Sequence, residues 1–318
     1  MGTQAHNSIS CLFCTSANTL FWHKHHSDAD GKSYDIFKCK ACGSGFVYPP
    51  PSEEYLESFY SSGLNPHGGS FDKHNMEFHF KKIVESESEY PNSTVDAERI
   101  VNFASEFAKG QDFLDIGAGY GFFTNAAQKR GFRCAALEVG ENNCKIFRMM
   151  NGFSPINRPF DDNFVEENLD KYDIVLLSQV LEHLPNPRHA VNLIYRILKK
   201  DGLCIIAVPH FGSYISKIQN KKDMFIVPPE HINFFSIAGL NKLFSSESFD
   251  LLYSHTISRY DENKIKGKVK YTFLSNFIYK LLASFLSISD RLDKGMFINA
   301  YFRKVCSSAN RGDGNGLV

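Results

Sequence analysis

The spacing of apolar positions changes along the chain, and the change marks the elements. From residue 111 onward, short apolar runs alternate with stretches whose apolar residues recur at helical spacing. The runs at 112–116, 133–138, 173–178, 202–208, 249–257 and 296–304 predict strands. Between most of them lie helical patterns such as RHAVNLIYRILKK, residues 188–200. Alternation of this kind predicts an α/β fold, a parallel sheet with helices on both faces. The last two runs are less regular, which suits an antiparallel strand near a sheet edge.

Upstream the pattern differs. In GFVYPPPSEEYLESFY, residues 45–60, Pro49 to Pro51 close a small first unit, and Ser52 with Glu53 and Glu54 starts a helix. Ser61 to Ser70 is rich in Gly, Ser, Asn and His and predicts a mobile loop. Residues 71–90 predict a helix, Pro91-Asn92-Ser93 a turn, and 94–108 a second helix with Ile100, Val101, Phe103, Phe107 and Ala108 at helical spacing. The expected organisation is a metal module at 1–58, linking helices and a substrate lid at 59–110, an α/β core at 111–306 and a disordered tail at 307–318.

One insertion interrupts the core. Lysines at 264, 266, 268 and 270 precede a nearly uncharged segment, 271–289, in which Phe273, Leu274, Phe277, Ile278, Leu281, Leu282, Phe285 and Leu286 form a helical stripe. Three readings stay open: a core helix between the last two strands, a dimer contact, or a helix lying on a membrane surface with its lysines on anionic headgroups.

Composition narrows the function classes. Lys plus Arg equals Asp plus Glu, 35 each, so there is no electrostatic footprint for bulk nucleic-acid binding. The N-terminus MGTQAHNSIS has no basic or apolar signal region, and no apolar run approaches the roughly 18 residues of a membrane span. The expected location is cytoplasmic, with peripheral contact at the inner membrane surface as the alternative that 271–289 leaves open. There thiols stay reduced, and cysteines suggest metal ligands, catalysis or core.

Four of the eight cysteines form two pairs, Cys11-Leu-Phe-Cys14 and Cys39-Lys-Ala-Cys42. Each CxxC puts two thiolates on a tight knuckle, and two knuckles make a tetrahedral zinc site. The 24 intervening residues need one longer hairpin. Gly43 supplies the positive φ that such a knuckle requires. Four cysteines leave no open ligand position, so the zinc is read as structural. Cys134, Cys144, Cys204 and Cys306 sit among apolar neighbours and read as core.

The first core strand runs into FLDIGAGYGFF, residues 113–123. Gly117, Gly119 and Gly121 give G-x-G-x-G, not the G-x-G-x-x-G of dinucleotide sites. Asp115 precedes the turn. A carboxylate there opposes a pyrophosphate and suits an ammonium, which points to S-adenosylmethionine (SAM). Glu138 ends the next strand, 21 residues after Gly117, where an acid accepts hydrogen bonds from ribose hydroxyls.

At this point the chain resembles the class I SAM-dependent methyltransferases. The carrying stretches are FLDIGAGYGFF, CAALEVG, YDIVLLSQVLEHLPNP, LKKDGLCIIAVPH and PPEHINFFS, over roughly 110–240. The resemblance implies a Rossmann-like seven-stranded sheet of order 3-2-1-4-5-7-6 with its last strand antiparallel. It implies that Gly117, Ala118 and Gly119 approach the methionine and ribose, that Asp115 lies near the amino group, that Glu138 holds the ribose and that Val139 packs on adenine. Phe160 and Asp161 fall where the adenine edge is met, and Gln179 and Val180 line the methyl-donor side. With the four-cysteine module and FKCKACGSGFVYPPP, the chain resembles methyltransferases of sugar and polysaccharide pathways. In their C-methylating members a Glu-His pair follows strand five, matched here by Glu230 and His231. Those enzymes carry a further C-terminal domain that this chain is too short to hold, so O-methylation stands beside C-methylation.

Methyl transfer from a sulfonium is an in-line displacement, and a hydroxyl or enolisable carbon acceptor also needs a proton removed. His231 is the candidate general base, with Glu230 or another carboxylate orienting its ring. A cap for the helix beginning near Ser236 is the structural alternative. Glu182-His183, after strand four, reads as structural or SAM-side. The functional expectation is SAM-dependent methylation of a small molecule, nucleotide-sugar or glycan. A non-catalytic zinc-ribbon adaptor that binds SAM and an RNA methyltransferase are the alternatives.

Overall fold

The computed structural model describes residues 9–61, 75–259 and 272–305; the loop expected after Ser61, the lysines at 264–270, Cys306 and the tail lie outside them. The chain opens with a hairpin, β1 (Thr19–His26) and β2 (Ser33–Cys39), followed by the short β3 (Gly45–Val47). This is the longer hairpin that the spacing between cysteine pairs requires. Three helices follow: α1 (Glu53–Ser61), α2 (Met76–Glu89) and α3 (Asn92–Phe107). The Ser52 hydroxyl accepts from the Tyr55 amide at 3.2 Å, which caps α1 as the sequence suggests.

The α/β core then runs β4 (Asp112–Ile116), α4 (Phe122–Lys129), β5 (Arg133–Leu137), α5 (Glu141–Asn151), α6 (Asp162–Glu166), β6 (Tyr172–Ser178), α7 (Pro187–Ile197) and β7 (Leu198–Pro209). It continues with α8 (Tyr214–Gln219), β8 (Asn233–Phe234), α9 (Ile237–Ser245), β9 (Phe249–Ile257), α10 (Thr272–Arg291) and β10 (Phe297–Lys304). The main sheet has the order β5-β4-β6-β7-β10-β9. Neighbours are parallel from β5 to β7, and β10 is antiparallel to both β7 and β9.

The strand order is the expected one with one correction: among the described residues six strands form, and the seventh, at the outer edge, shrinks to a single residue. Ile156 makes an isolated parallel bridge to Leu137. Its amide donates to the Ala136 carbonyl at 2.8 Å, and its carbonyl accepts from the Glu138 amide at 3.2 Å. Pro155 just before it has no amide hydrogen for a ladder. The side chain of Asn157 just after it bonds the carbonyls of Glu138 and Val139 at 2.8 and 3.0 Å. A second correction concerns the helix expected at 188–200. It stops at Ile197, and Leu198 already pairs with Tyr172, followed by a bulge and a positive φ of 61° at Asp201.

The four-cysteine module is built into the core. Its sheet has the order β1-β2-β3-β8, so its fourth strand comes from residues 233–234. Cys11, Phe13, Cys39, Cys42 and Phe46 belong to the same apolar cluster as Val175, Ile206, Phe235, Leu240 and Phe244. Phe13 and Phe46 are fully buried, each contributing about 1.5–3 kcal/mol relative to exposure. In α10, Leu286 is buried, while Phe277 and Leu281 are 54% and 55% exposed. Packing against the core therefore accounts for only part of its apolar stripe. Among the described residues no helix is long and apolar enough to cross a membrane.

Candidate functional site

The four-cysteine cluster is assembled as the spacing demands. Cys11 Sγ lies 3.7 Å from Cys42 Sγ, and Cys14 Sγ lies 3.6 Å from Cys39 Sγ. A tetrahedron with Zn–S bonds of about 2.3 Å has sulfur–sulfur edges of about 3.8 Å, so the cluster fits zinc. Each knuckle closes on a carbonyl: Thr15 N donates to Cys11 O at 3.0 Å and Gly43 N to Cys39 O at 2.9 Å. Thr15 and Gly43 both have positive φ, 59° and 79°. The hydrogen bond between Cys11 and Cys42 lowers the Cys42 thiol and raises that of Cys11, so the first proton to leave the pair leaves from Cys42, with Ser44 helping.

On the cofactor side, the parallel strands β4 and β5 deliver the glycine turn and Glu138 to one edge of the sheet. Glu138 Oε2 accepts from the Gly119 amide at 2.8 Å, and Oε1 accepts from Gly140 N at 2.7 Å and Asn143 Nδ2 at 3.2 Å. The two sequence signals thus touch. Gly117 and Gly119 have φ of +69° and +54°. A Cβ on Gly119 would meet nothing within 4 Å, which leaves the space a ligand needs. A Cβ on Gly117 would stand 2.5 Å from Val180 Cγ2. Val139 is 63% exposed, as a residue packing on adenine must be before binding. Open space over the turn, an exposed apolar side chain and an acid in register fit SAM.

The remaining cofactor candidates have structural partners as well. The Ala118 amide donates to Leu137 O at 2.9 Å. Asp115 is buried under α4, where Oδ2 accepts from Thr124 Oγ1 at 2.8 Å, and burial pushes it up to about 7. Gln179 takes a φ of 56° and bonds Ala207 O through its amide and Nε2, at 2.8 and 3.1 Å. Phe160 packs on the core. Asp161 caps α6 by accepting from Phe164 N at 2.8 Å and pairs with Arg158 at 3.2 Å.

On the acceptor side, a single turn of tight helix, Leu181–His183, follows Val180 and meets the loop that carries Glu230 and His231. His183 Nδ1 lies 2.7 Å from Glu230 O and 3.1 Å from Tyr60 Oη. His231 Nδ1 lies 2.9 Å from Phe225 O. A ring nitrogen that close to a carbonyl must carry the proton, which puts the lone pair of each ring on Nε2. The rings meet edge to face, centroids 4.9 Å apart. Below them is Glu182, wholly buried, pushed up to about 8 by burial and by the charge of Glu230.

His231 lies in this cluster with Glu230 next to it in the chain, and its Nδ1 partner is the Phe225 carbonyl, not a carboxylate. Glu182 and Tyr60 were not singled out as members of this cluster. The adjacency Glu182-His183 was visible, but the loop that closes on it comes from 47 residues away, counted from His183 to Glu230. His210, just after β7, is buried with Nδ1 on Gly295 O at 3.0 Å, and burial pushes it down to about 4, too low for a general base near neutral pH.

Parts of the chain are similar to known proteins. A family model described as a methyltransferase domain matches residues 92–254, just over half of the 318-residue chain. The ubiquinone biosynthesis O-methyltransferase of Erwinia tasmaniensis is 29% identical over 97 residues, 29% of this chain and 40% of that protein. That of Idiomarina loihiensis is 24% identical over 153 residues, 42% of this chain and 63% of that protein. The chain thus spans between two fifths and two thirds of these curated relatives. A crystal structure of a SAM-dependent methyltransferase from Archaeoglobus fulgidus matches with a TM-score of 0.50 at 18% identity, covering 70% of this chain and 99% of that one, a likeness of fold. With strand order, glycine turn and matched span in agreement, this chain belongs to the class I SAM-dependent methyltransferase family.

Proposed function

We propose that the protein transfers a methyl group from SAM to an oxygen of a small-molecule acceptor, and that the acceptor is a nucleotide-linked sugar or a glycan hydroxyl. The observation that carries the reading is the position of Val180. It packs on Gly117 in the cofactor turn and stands two residues before Glu182 in the acceptor cluster. Methyl donor and proton acceptor are thereby held side by side. SAM is already activated, so the residues of this chain align the partners and take the proton. His231 Nε2 is the base, and Glu138, Gly117 and Gly119 hold the donor. The names of the curated relatives favour oxygen as the methylated atom, and the four-cysteine module before the core favours a sugar.

The test is methyl transfer from labelled SAM into fractionated small metabolites, nucleotide-sugars and glycans. Label is expected in a sugar-containing fraction. His231→Ala is expected to lower that turnover by about 10²–10⁴, the usual worth of a positioned base, with SAM affinity kept. Label in none of the fractions, with SAM bound, would instead support a binding module.

A further inference from the structure

Glu182 is the least explained charge in the fold. It has no exposed surface, and neither carboxylate oxygen has a hydrogen-bond partner. Buried polar groups are nearly always paired, and an unpaired one calls for a function. One polar atom each from Glu182, His183 and His231 lies within 4.8 Å of the other two, a group in which Glu230 is not included. A gap of that size takes one bridging oxygen at about 2.8 Å from two of them.

We propose that Glu182, and not the adjacent Glu230, is the carboxylate that supports His231 during methyl transfer, holding the imidazolium that forms as the acceptor loses its proton. The inference rests on the methyl-transfer reading above. The step balances within the chain. The acceptor oxygen forms a bond to the methyl carbon while the carbon–sulfur bond breaks, and its electron pair converts the sulfonium to a thioether. The acceptor proton passes to His231 Nε2, and where Glu182 is ionised the new positive charge lies against its negative charge, so the support grows as pH rises toward the raised value of Glu182. Glu182 is a positioning residue here, since it acts through His231.

Among the described residues, three other groups face the pair. His183 shares the cluster, Tyr60 reaches in from α1, and Glu230 comes from the same loop as His231. His183 Nδ1 is held by Glu230 O and Tyr60 Oη, so its proton is committed. Glu230 is a second negative charge, and it opposes ionisation of Glu182. An imidazolium on His231 offsets that opposition. Glu182 and His231 must then titrate as a coupled pair, with macroscopic steps that belong to both groups.

The experiment is a pH titration of the labelled histidine side chains by NMR, on the full-length, metal-loaded protein without acceptor. His231 is assigned by loss of its signal in His231→Gln. Two inflections are expected for His231 in the wild type, and a single one, at lower pH, in Glu182→Gln. Glu182→Asp keeps two, which separates a lost charge from a misfolded site, and Glu230→Gln keeps two. A single wild-type inflection that Glu182→Gln leaves in place would overturn the proposal. So would loss of the second inflection in Glu230→Gln alone. Broadening of the His183 and His231 signals by micromolar Mn²⁺, abolished by Glu182→Gln, would make the cluster a cation site and overturn it as well. SAM affinity, measured on the same samples, reports separately on the methyl-transfer reading.

Discussion

The two halves of the candidate site are built in opposite ways. The cofactor half is local: Gly117, Gly119 and Glu138 lie on two neighbouring parallel strands, and the Glu138–Gly119 hydrogen bond closes over 19 residues. The acceptor half is assembled from afar. Tyr60 meets His183 across 123 residues, and Ser44 meets Ser236 across 192. The acceptor loop is held from behind by the metal module: Val47 N donates to Ile232 O at 2.9 Å, Ser236 Oγ to Cys42 O at 2.6 Å, and Ser236 N to Ser44 Oγ at 2.9 Å. One half is therefore fixed by the sheet and the other by the fit between two units. A fold that serves many substrates keeps the first and varies the second.

The largest expected effect breaks this comparison from the metal side. Cys39→Ser removes one ligand of the proposed zinc site and, because structural zinc binding is coupled to folding, should lose the metal and unfold the module. The damage should not stop at residue 58. Phe13 packs on Phe235 with centroids 4.9 Å apart, and Gly239 sits so close to Ser44 that a Cβ would meet its Oγ. Limited proteolysis should therefore cut both within 9–48 and within 225–245, and turnover should disappear. SAM affinity by calorimetry should stay within about threefold, since no cofactor contact runs through the module. Cleavage confined to the module, with turnover intact, would show that the acceptor loop stands without it.

Gly117→Val probes the other half. At a φ of +69° a branched residue costs about 1–2 kcal/mol in backbone strain alone, and its Cβ would collide with Val180. The expected loss in SAM affinity is about 10–100-fold, with the zinc content and the protease pattern of the module unchanged. Unchanged SAM affinity in a folded Gly117→Val protein would remove the turn from the site.

The asymmetry between the halves also explains what the sequence made legible. Strand positions, the α7 pattern, the glycine turn and the cysteine knuckles are short-range signals, and each could be read from neighbours in the chain. The seventh strand that the resemblance implies is reduced to Ile156, because Pro155 lacks the amide a ladder needs and Asn157 turns its side chain onto the Glu138 and Val139 carbonyls. Glu182 reads in the sequence only as a structural or SAM-side residue, because nothing local says which loop closes over it. The two-residue β8 carries too few residues for any period, yet it joins the module to the core. Contacts of this kind are decided by tertiary packing, which periodicity does not report.

The smallest effect sharpens the comparison through pH, because each half holds one buried acid. Burial raises Glu182 to about 8 and Asp115 to about 7, both above their values in an unfolded chain. A raised acid stabilises the fold fully below its unfolded pKa, and that contribution is lost as pH rises through the folded value. The Tm should therefore fall as pH rises from about 4, the Asp115 part of the fall ending near 7 and the Glu182 part near 8. Glu182→Gln stays neutral, so its Tm should match the wild type near pH 4 and exceed it above about pH 8 by roughly 3–6 °C. Asp115→Asn should flatten the lower part of the curve. SAM should do the same without mutation if its ammonium lies over Asp115, because a nearby positive charge restores the ionised form. The halves would then separate in one experiment: with SAM present only the Glu182 portion of the fall remains. Parallel curves for wild type and Glu182→Gln across this range would show that Glu182 does not carry its buried proton, and would place the titrating group elsewhere in the fold.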